Sequence, residues 1–390
     1  MTRTRQRGFT LIELMVALLV SSLLVGMILA IFSRMSLAYR SQQQISGVQQ
    51  ILAAARAAIE LDAKQAGFGM PQGFKTAVPL LTNPQSPVQV TNNSNNAGPD
   101  QIAFFYADTS TQAVLTQPSP VTLTGAVSFD DVSAFSALML VVLTTASTAS
   151  NPLSATSPDI ATYDACVLRL ATVNVPGKQV TFDTTAPWGT SFAHCTIIVP
   201  GRTMMYRFVA HAYRIDTTTP ARAQLGALQQ SVTGGLLSNV PPGNLEVWKD
   251  VAYGFSDLQT AVRLYDRDAP ANVDGDDDVN RNWFSGENQG AVTTLTTPPA
   301  NTALLGMTIS LVAHTERNVE GIATTATPNL IALPALGGPP IPDHNSLSDR
   351  ASTALPTAPP WPDPLLPGQR IYRWTSFQVD FRNLGVGVGL

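Results

Sequence analysis

Lysine is nearly missing from this chain. Lys64, Lys75, Lys178 and Lys249 are the only four in 390 residues, and charged residues of all kinds make up 13%. The formal net charge is -4. That leaves no broad basic surface for nucleic acid and no strongly acidic tail, so no nucleic-acid partner is expected. Histidine is sparse as well: His194, His211, His314 and His344 stand apart. There is no H-E-x-x-H, no G-x-S-x-G, no S-x-x-K and no phosphate-binding Gly-Lys-Ser/Thr loop. None of the usual local signatures of hydrolytic or phosphoryl chemistry is therefore present. His211 and His314 fall in strand-like segments and read as sheet residues. No catalytic residue is assigned, and a non-enzymatic protein is expected.

Cysteine is limited to Cys166 and Cys195, whose spacing fits no metal motif. Outside the cytoplasm such a pair is expected as a disulfide. It would close a loop of about 30 residues and contribute roughly 3 kcal/mol in the chain-entropy model. The alternative is two buried small apolar side chains.

Two further absences define the N-terminal part. No charge occurs from Leu14 to Phe32, and no proline from Ser33 to Ala66. The first run spans about 28 Å as a helix, which roughly matches a bilayer core. It is too long for a signal-peptide h-region, and no A-x-A-like cleavage site follows it. Arg3, Arg5 and Arg7 precede it and place the N-terminus on the cytoplasmic side. Beyond Phe32, Ile45, Val48, Leu52, Ala55 and Ile59 recur at three- and four-residue steps. They form an apolar stripe, with Gln42, Gln43, Gln49, Gln50, Arg56 and Glu60 elsewhere on the surface. Gly67, Gly69 and Pro71 supply a stop. One continuous helix is expected over residues 9–66, transmembrane over about 9–32 and amphipathic over 33–66.

Glu13 lies at the start of the apolar run, where a carboxylate needs a reason. The stretch Gly8-Phe9-Thr10-Leu11-Ile12-Glu13 resembles the class III leader of type IV pilins and type II secretion pseudopilins. The resemblance implies a leader peptide over residues 1–8, cut by prepilin peptidase between Gly8 and Phe9. It also implies methylation of the new Phe9 amine and a pairing of Glu13 with the N-terminal amine of a neighbouring subunit. A carboxylate among apolar helices is tolerable when it meets an ammonium group. An ordinary membrane anchor is the alternative, and it leaves the Gly8-Phe9 junction unexplained. Many major pilins have a proline in the middle of this segment; here there is only Gly26.

The remainder, residues 67–390, reads as a β-rich head. Strands are expected over Ile102–Tyr106, Ala137–Leu143, Cys166–Val175, Gln179–Phe182, Thr196–Val199 and Met204–Ile215. Ala137–Leu143 is continuously apolar and expected to be buried on both faces. Thr144–Pro158 reads as a Ser/Thr/Ala loop. Met307, Ile309, Leu311 and Ala313 alternate with Thr308, Ser310 and His314, and Phe377, Val379 and Phe381 with Gln378, Asp380 and Arg382. Both segments read as half-buried antiparallel strands. Thr324–Pro367 is rich in Pro, Thr, Ala and Ser and reads as an exposed arm. The fold class expected is α+β, one long helix packed on an antiparallel head.

Asp266, Asp268, Asp274, Asp276, Asp277 and Asp278 crowd one stretch around Gly275. A solvated acidic turn explains them, and so does a calcium loop with Asp274, Asp276 and Asp278 as first ligands. The twelfth position from Asp274 is Ser285, which excludes an EF-hand.

Leu61-Asp62-Ala63-Lys64-Gln65-Ala66-Gly67-Phe68-Gly69 and Val251-Ala252-Tyr253-Gly254-Phe255-Ser256-Asp257-Leu258-Gln259 resemble segments of PilW-type minor pilins. That resemblance implies a structural subunit that primes or caps a type IV pilus with other minor pilins. Its partners would be other pilin subunits, prepilin peptidase and the inner membrane. The head would lie in the periplasm and later on the pilus at the cell surface. Such a role supports adhesion, twitching motility or DNA uptake. A type II secretion pseudopilin and a pilus-tip adhesin are the other readings.

Overall fold

The computed structural model describes residues 10–70, 75–76, 86–91, 99–146, 163–185, 188, 192, 195, 198–216, 226–235, 246–266, 283–284, 294–295, 302–315 and 372–381. Among these residues there is one α-helix, α1 (Leu11–Gln65), which runs for 55 residues, about 82 Å at 1.5 Å per residue. It starts one residue after the Thr10 cap and ends one before the Ala66 cap. The expected bounds of 9–66 are thus close at the C-terminal end, and Phe9 lies outside the described residues. Val48, Leu52, Ala55, Ile59, Asp62 and Ala63 are its buried residues. This is the apolar stripe, displaced by one turn, since Ile45 is only half-buried. At the exit Gly67 (φ 77°) turns the chain. The turn is bonded to the sheet through Gly67 N–H to Phe105 O at 2.9 Å and Ala107 N–H to Phe68 O at 2.8 Å.

Strands follow in chain order. They are β1 (Lys75–Thr76), β2 (Val88–Thr91), β3 (Gln101–Val114), β4 (Ala126–Ser128), β5 (Leu140–Ala146), β6 (Tyr163–Asn174), β7 (Gln179–Phe182) and β8 (Thr203–Asp216). Then come β9 (Ala227–Ser231), β10 (Trp248–Tyr253), β11 (Phe255–Asp266), β12 (Trp283–Phe284), β13 (Thr294–Leu295), β14 (Thr302–His314) and β15 (Tyr372–Asp380). The first sheet runs β13-β2-β3-β8-β5-β6-β7-β4, and the second β12-β11-β14-β15. Pairing is antiparallel except that β1 runs parallel to β6. Strand β8 lies against β3 along one edge; its other edge is shared by β5 at Thr203–Arg207 and β9 at Ala212–Asp216. Gly254 (φ 90°) carries the chain directly from β10 in the first sheet to β11 in the second. Helix and head together are α+β, as expected from one helix followed by many strands.

Among the described residues three apolar clusters hold it together. In the first, the stripe of α1 meets Val88, Val90, Ile102, Phe104, Tyr213 and Ile215 of the first sheet and Leu258, Met307, Ile309, Leu311, Phe377 and Val379 of the second. The second lies under β4 to β7 and includes Cys166 and Cys195. The third is on the reverse face of the first sheet, where Phe105 and Phe208 stack at 5.8 Å. Asp100 ties the sheets together. Its N–H donates to Leu258 O at 2.7 Å, and its carboxylate accepts from the Thr260 N–H at 2.8 Å and hydroxyl at 3.0 Å. It thereby occupies the edge of β11 that a neighbouring strand would otherwise fill. Asp100→Ala is expected to lower stability by about 1–3 kcal/mol, the cost of a buried donor left without its acceptor. Urea unfolding of the detergent-solubilised protein, followed by tryptophan fluorescence, checks this; an unshifted midpoint would contradict it.

Several segments differ from expectation. Ala137 and Leu138 form a turn, with Leu138 at φ 68° and exposed. The turn is fixed by Leu138 N–H to Leu170 O and Leu170 N–H to Met139 O, both 2.9 Å. The strand starts at Leu140 and continues through Thr144–Ala146, which read as loop. Thr144 and Thr145 are tolerated inside because their hydroxyls are paired, with Gly69 O at 2.9 Å and Thr203 Oγ1 at 2.7 Å. Ile198 and Val199 lie outside any strand: Val199 O accepts from Arg202 and Thr203, which closes a turn. Strand β14 is buried on both faces at its C-terminal end, Ser310 and Val312 included, because it is central between β11 and β15. The arm 324–367 lies outside the described residues.

Candidate assembly site

The first half of α1 is bare. Every residue from Leu11 to Phe32 is exposed, with Leu11 at 79% and Phe32 at 72%. Among the described residues this is the one helix long and apolar enough to cross a membrane. Its start is a capping box. Glu13 Oε2 accepts from the Thr10 N–H and the Thr10 hydroxyl, each at 2.9 Å, and Glu13 N–H donates back to Thr10 Oγ1 at 3.3 Å. A carboxylate here also faces the positive end of the helix dipole. All of its bonds converge on Oε2, so among the described residues Oε1 has no partner. The arrangement can accept one further donor without giving up the cap.

The second half of α1 carries the head, and at its end lies a buried polar node. Asp62 is 5% exposed. Its Oδ1 accepts from the Tyr106 hydroxyl at 3.0 Å, and its Oδ2 from the Tyr213 hydroxyl at 2.5 Å. His211 Nδ1 lies 2.8 Å from the same Oδ2. Gln230 Nε2 donates to the Tyr213 oxygen at 2.9 Å. Burial, followed by the charge of Asp62, pushes both tyrosine hydroxyls above their usual range.

Of the residues singled out in the sequence, Gly8 and Phe9 lie outside the described residues, as do Asp274, Asp276 and Asp278. Asp266 ends β11. Cys166 and Cys195 are joined in a disulfide with Cα atoms 5.5 Å apart. It fastens the loop around Phe192 and Cys195 to strand β6. Elsewhere Asp183 accepts from Thr185 and Arg169. Burial raises its carboxyl, but these bonds outweigh burial and leave it below the usual range. Sequence reasoning missed His211 as a partner of Asp62, and Asp62 itself beyond its place in a motif. One signal was available: Asp62 stands three residues after Ile59, in step with the buried stripe.

Residues 3–29 match the family described as Prokaryotic N-terminal methylation motif. The motif is of the kind that a type IV pilin leader carries, and the match ends within the first half of α1. It implies processing by prepilin peptidase and assembly with other pilins, and with the apolar helix it fits anchoring in a membrane. No curated protein matches the chain. The structure is similar to a type IV-like pilin from Thermus thermophilus, at 11% identity over 85% of this chain and 95% of that one, with a TM-score of 0.34. At that level the likeness adds no argument, and the fold rests on its own elements.

Proposed function

We propose that the chain is a PilW-like minor pilin of a bacterial type IV pilus system. The carrying observation is continuity: a pilin leader runs into a helix whose bare first half extends beyond a head mounted on its second half. An apolar rod left uncovered for more than 20 residues needs lipid first and neighbouring apolar helices afterwards. Prepilin peptidase cuts between Gly8 and Phe9, and Phe9 is methylated. The head stands in the periplasm until the subunit enters a filament, where it primes or caps assembly with other minor pilins. Adhesion, twitching motility or DNA uptake then depends on the pilus and not on a reaction of this chain. The segment around Asp62 and the Gly254 junction supports the PilW-like assignment, since both resemblances fall where the head is joined together.

Glu13 is the assembly residue. Its second oxygen takes the Phe9 amine of an adjacent subunit while Thr10 keeps the first. Mass spectrometry of the mature N-terminus tests the reading, and a methylated Phe9 is expected; an intact Met1 or a cut elsewhere would overturn it. Glu13→Ala should leave the protein in the membrane and reduce its recovery in sheared pili. Recovery equal to wild type would refute the pairing.

A further inference from the structure

Between the bare run and the head, α1 carries charge of one sign only. From Leu14 to Ile59 its charged residues are Arg34, Arg40 and Arg56, with no acidic residue among them. Arg56 is neutralised: it pairs with Glu60, and its guanidinium lies over the Phe377 ring. Arg34 and Arg40 are exposed, and among the described residues neither has an ion-pair partner. They flank Leu37 at three-residue steps, so the three share one side of the helix. Tyr39 is exposed at the same level. The head begins beyond them, since Val48 is the first buried residue of α1. Nor do these arginines set the orientation of the anchor. Arg3, Arg5 and Arg7 outnumber them at the other end, and positive charge beyond the membrane runs against the usual bias. Two bare guanidinium groups at this level need a reason of their own.

We propose that Arg34 and Arg40 form a collar that binds the phosphates of anionic phospholipids, on the far side of the membrane from Arg3, Arg5 and Arg7. The proposal rests on the reading of α1 as a membrane anchor. Distance places the collar. Along the helix axis Arg34 lies about 31 Å from Glu13, and Arg40 about 40 Å. A hydrocarbon core is about 30 Å thick, and a bilayer with its headgroups about 40–45 Å. With Glu13 at the near edge of the core, Arg34 reaches the far phosphates directly. Arg40 reaches them by laying its stem back along the helix toward the membrane. A guanidinium presents a planar fork of donors that matches phosphate oxygens. Tyr39 fits the same layer, where amphipathic aromatic rings gather. Phosphatidylcholine carries a cation beside its own phosphate, so the collar favours phosphatidylglycerol, whose phosphate is uncompensated. The foot of the head is thereby held at the lipid surface.

The test is photo-crosslinking of the full chain in vesicles of equal phosphatidylcholine and phosphatidylglycerol, at low salt. The crosslinker p-benzoylphenylalanine replaces Leu37 in one protein and Leu18, inside the apolar run, in another, and adducts are identified by mass spectrometry. Lipid adducts are expected at both positions. None at either would overturn the anchor and the collar with it; adducts at Leu18 but none at Leu37 would overturn the collar alone. At Leu37, phosphatidylglycerol adducts should exceed phosphatidylcholine adducts at least about threefold, within the roughly fivefold that one arginine near an anionic surface supplies. Arg34→Gln/Arg40→Gln should bring that ratio close to one. A ratio near one in the wild type, or a preference that survives the double substitution, would overturn the proposal. So would adducts to a second copy of the chain in place of lipid.

Discussion

Gly226→Ala is expected to destabilise the head by roughly 2–5 kcal/mol, the sum of a left-handed backbone penalty and forced overpacking. Gly226 has φ 59°. A Cβ built there would lie 1.8 Å from the carbonyl oxygen of Phe255 and 3.0 Å from its carbonyl carbon. Both are backbone atoms, so no side chain can swing aside. The crowding falls where the two sheets join: Gly226 O accepts from Gly254 N–H at 3.0 Å, and Phe255 is fully buried at the head of β11. Making room means pushing β11 away from β9. Gly201→Ala is the control, since Gly201 also has positive φ (73°) but open space around its Cβ position. It should lose only the backbone part, about 1–2 kcal/mol. Urea titration with tryptophan fluorescence distinguishes them; equal losses would mean that the close approach does not matter.

That junction shows where the sequence is readable and where it is not. The helix was legible because its information is local. A charge-free run, a stripe at steps of three and four, and a glycine stop each lie within a few turns. Strands with clean alternation, such as Gln179–Phe182 and Phe377–Val379, were legible for the same reason. Strand β3 was read only as far as Tyr106, because Asp108, Thr109, Ser110, Thr111 and Gln112 carry no strand-like alternation. Pairing with β8 breaks off at Asp108–Arg207 and resumes at Gln112–Tyr206, so Thr109, Ser110 and Thr111 form a bulge and the strand continues beyond it only because β8 pairs with it again. Nothing local announces that β5 and β9 share one edge of β8, or that Gly226 meets Phe255.

The site divides in the same way. The methylation motif is a contiguous pattern and was read from it, whereas the Asp62 node draws on residues 44, 149 and 151 positions away. An aspartate on the buried stripe of a helix announces a need for partners, but periodicity cannot say which strands supply them.

Asp62→Ala should therefore cost about 3–5 kcal/mol, as expected when one member of a buried charged network is removed. Two tyrosine hydroxyls lose their acceptor at once. Part of each loss is the penalty of an unsatisfied buried donor and not the strength of the bond itself. Tyr213→Phe should cost less, about 1–2 kcal/mol, because Asp62 keeps Tyr106 and His211. The informative measurement is the double variant. With Tyr213 already phenylalanine, Asp62→Ala strands one hydroxyl fewer, so its added cost should fall by at least about 0.5 kcal/mol. Unfolding midpoints of the four proteins close the cycle. Strict additivity would show that the residues stabilise the helix–head joint independently, and that the convergence on one carboxylate carries no shared energy.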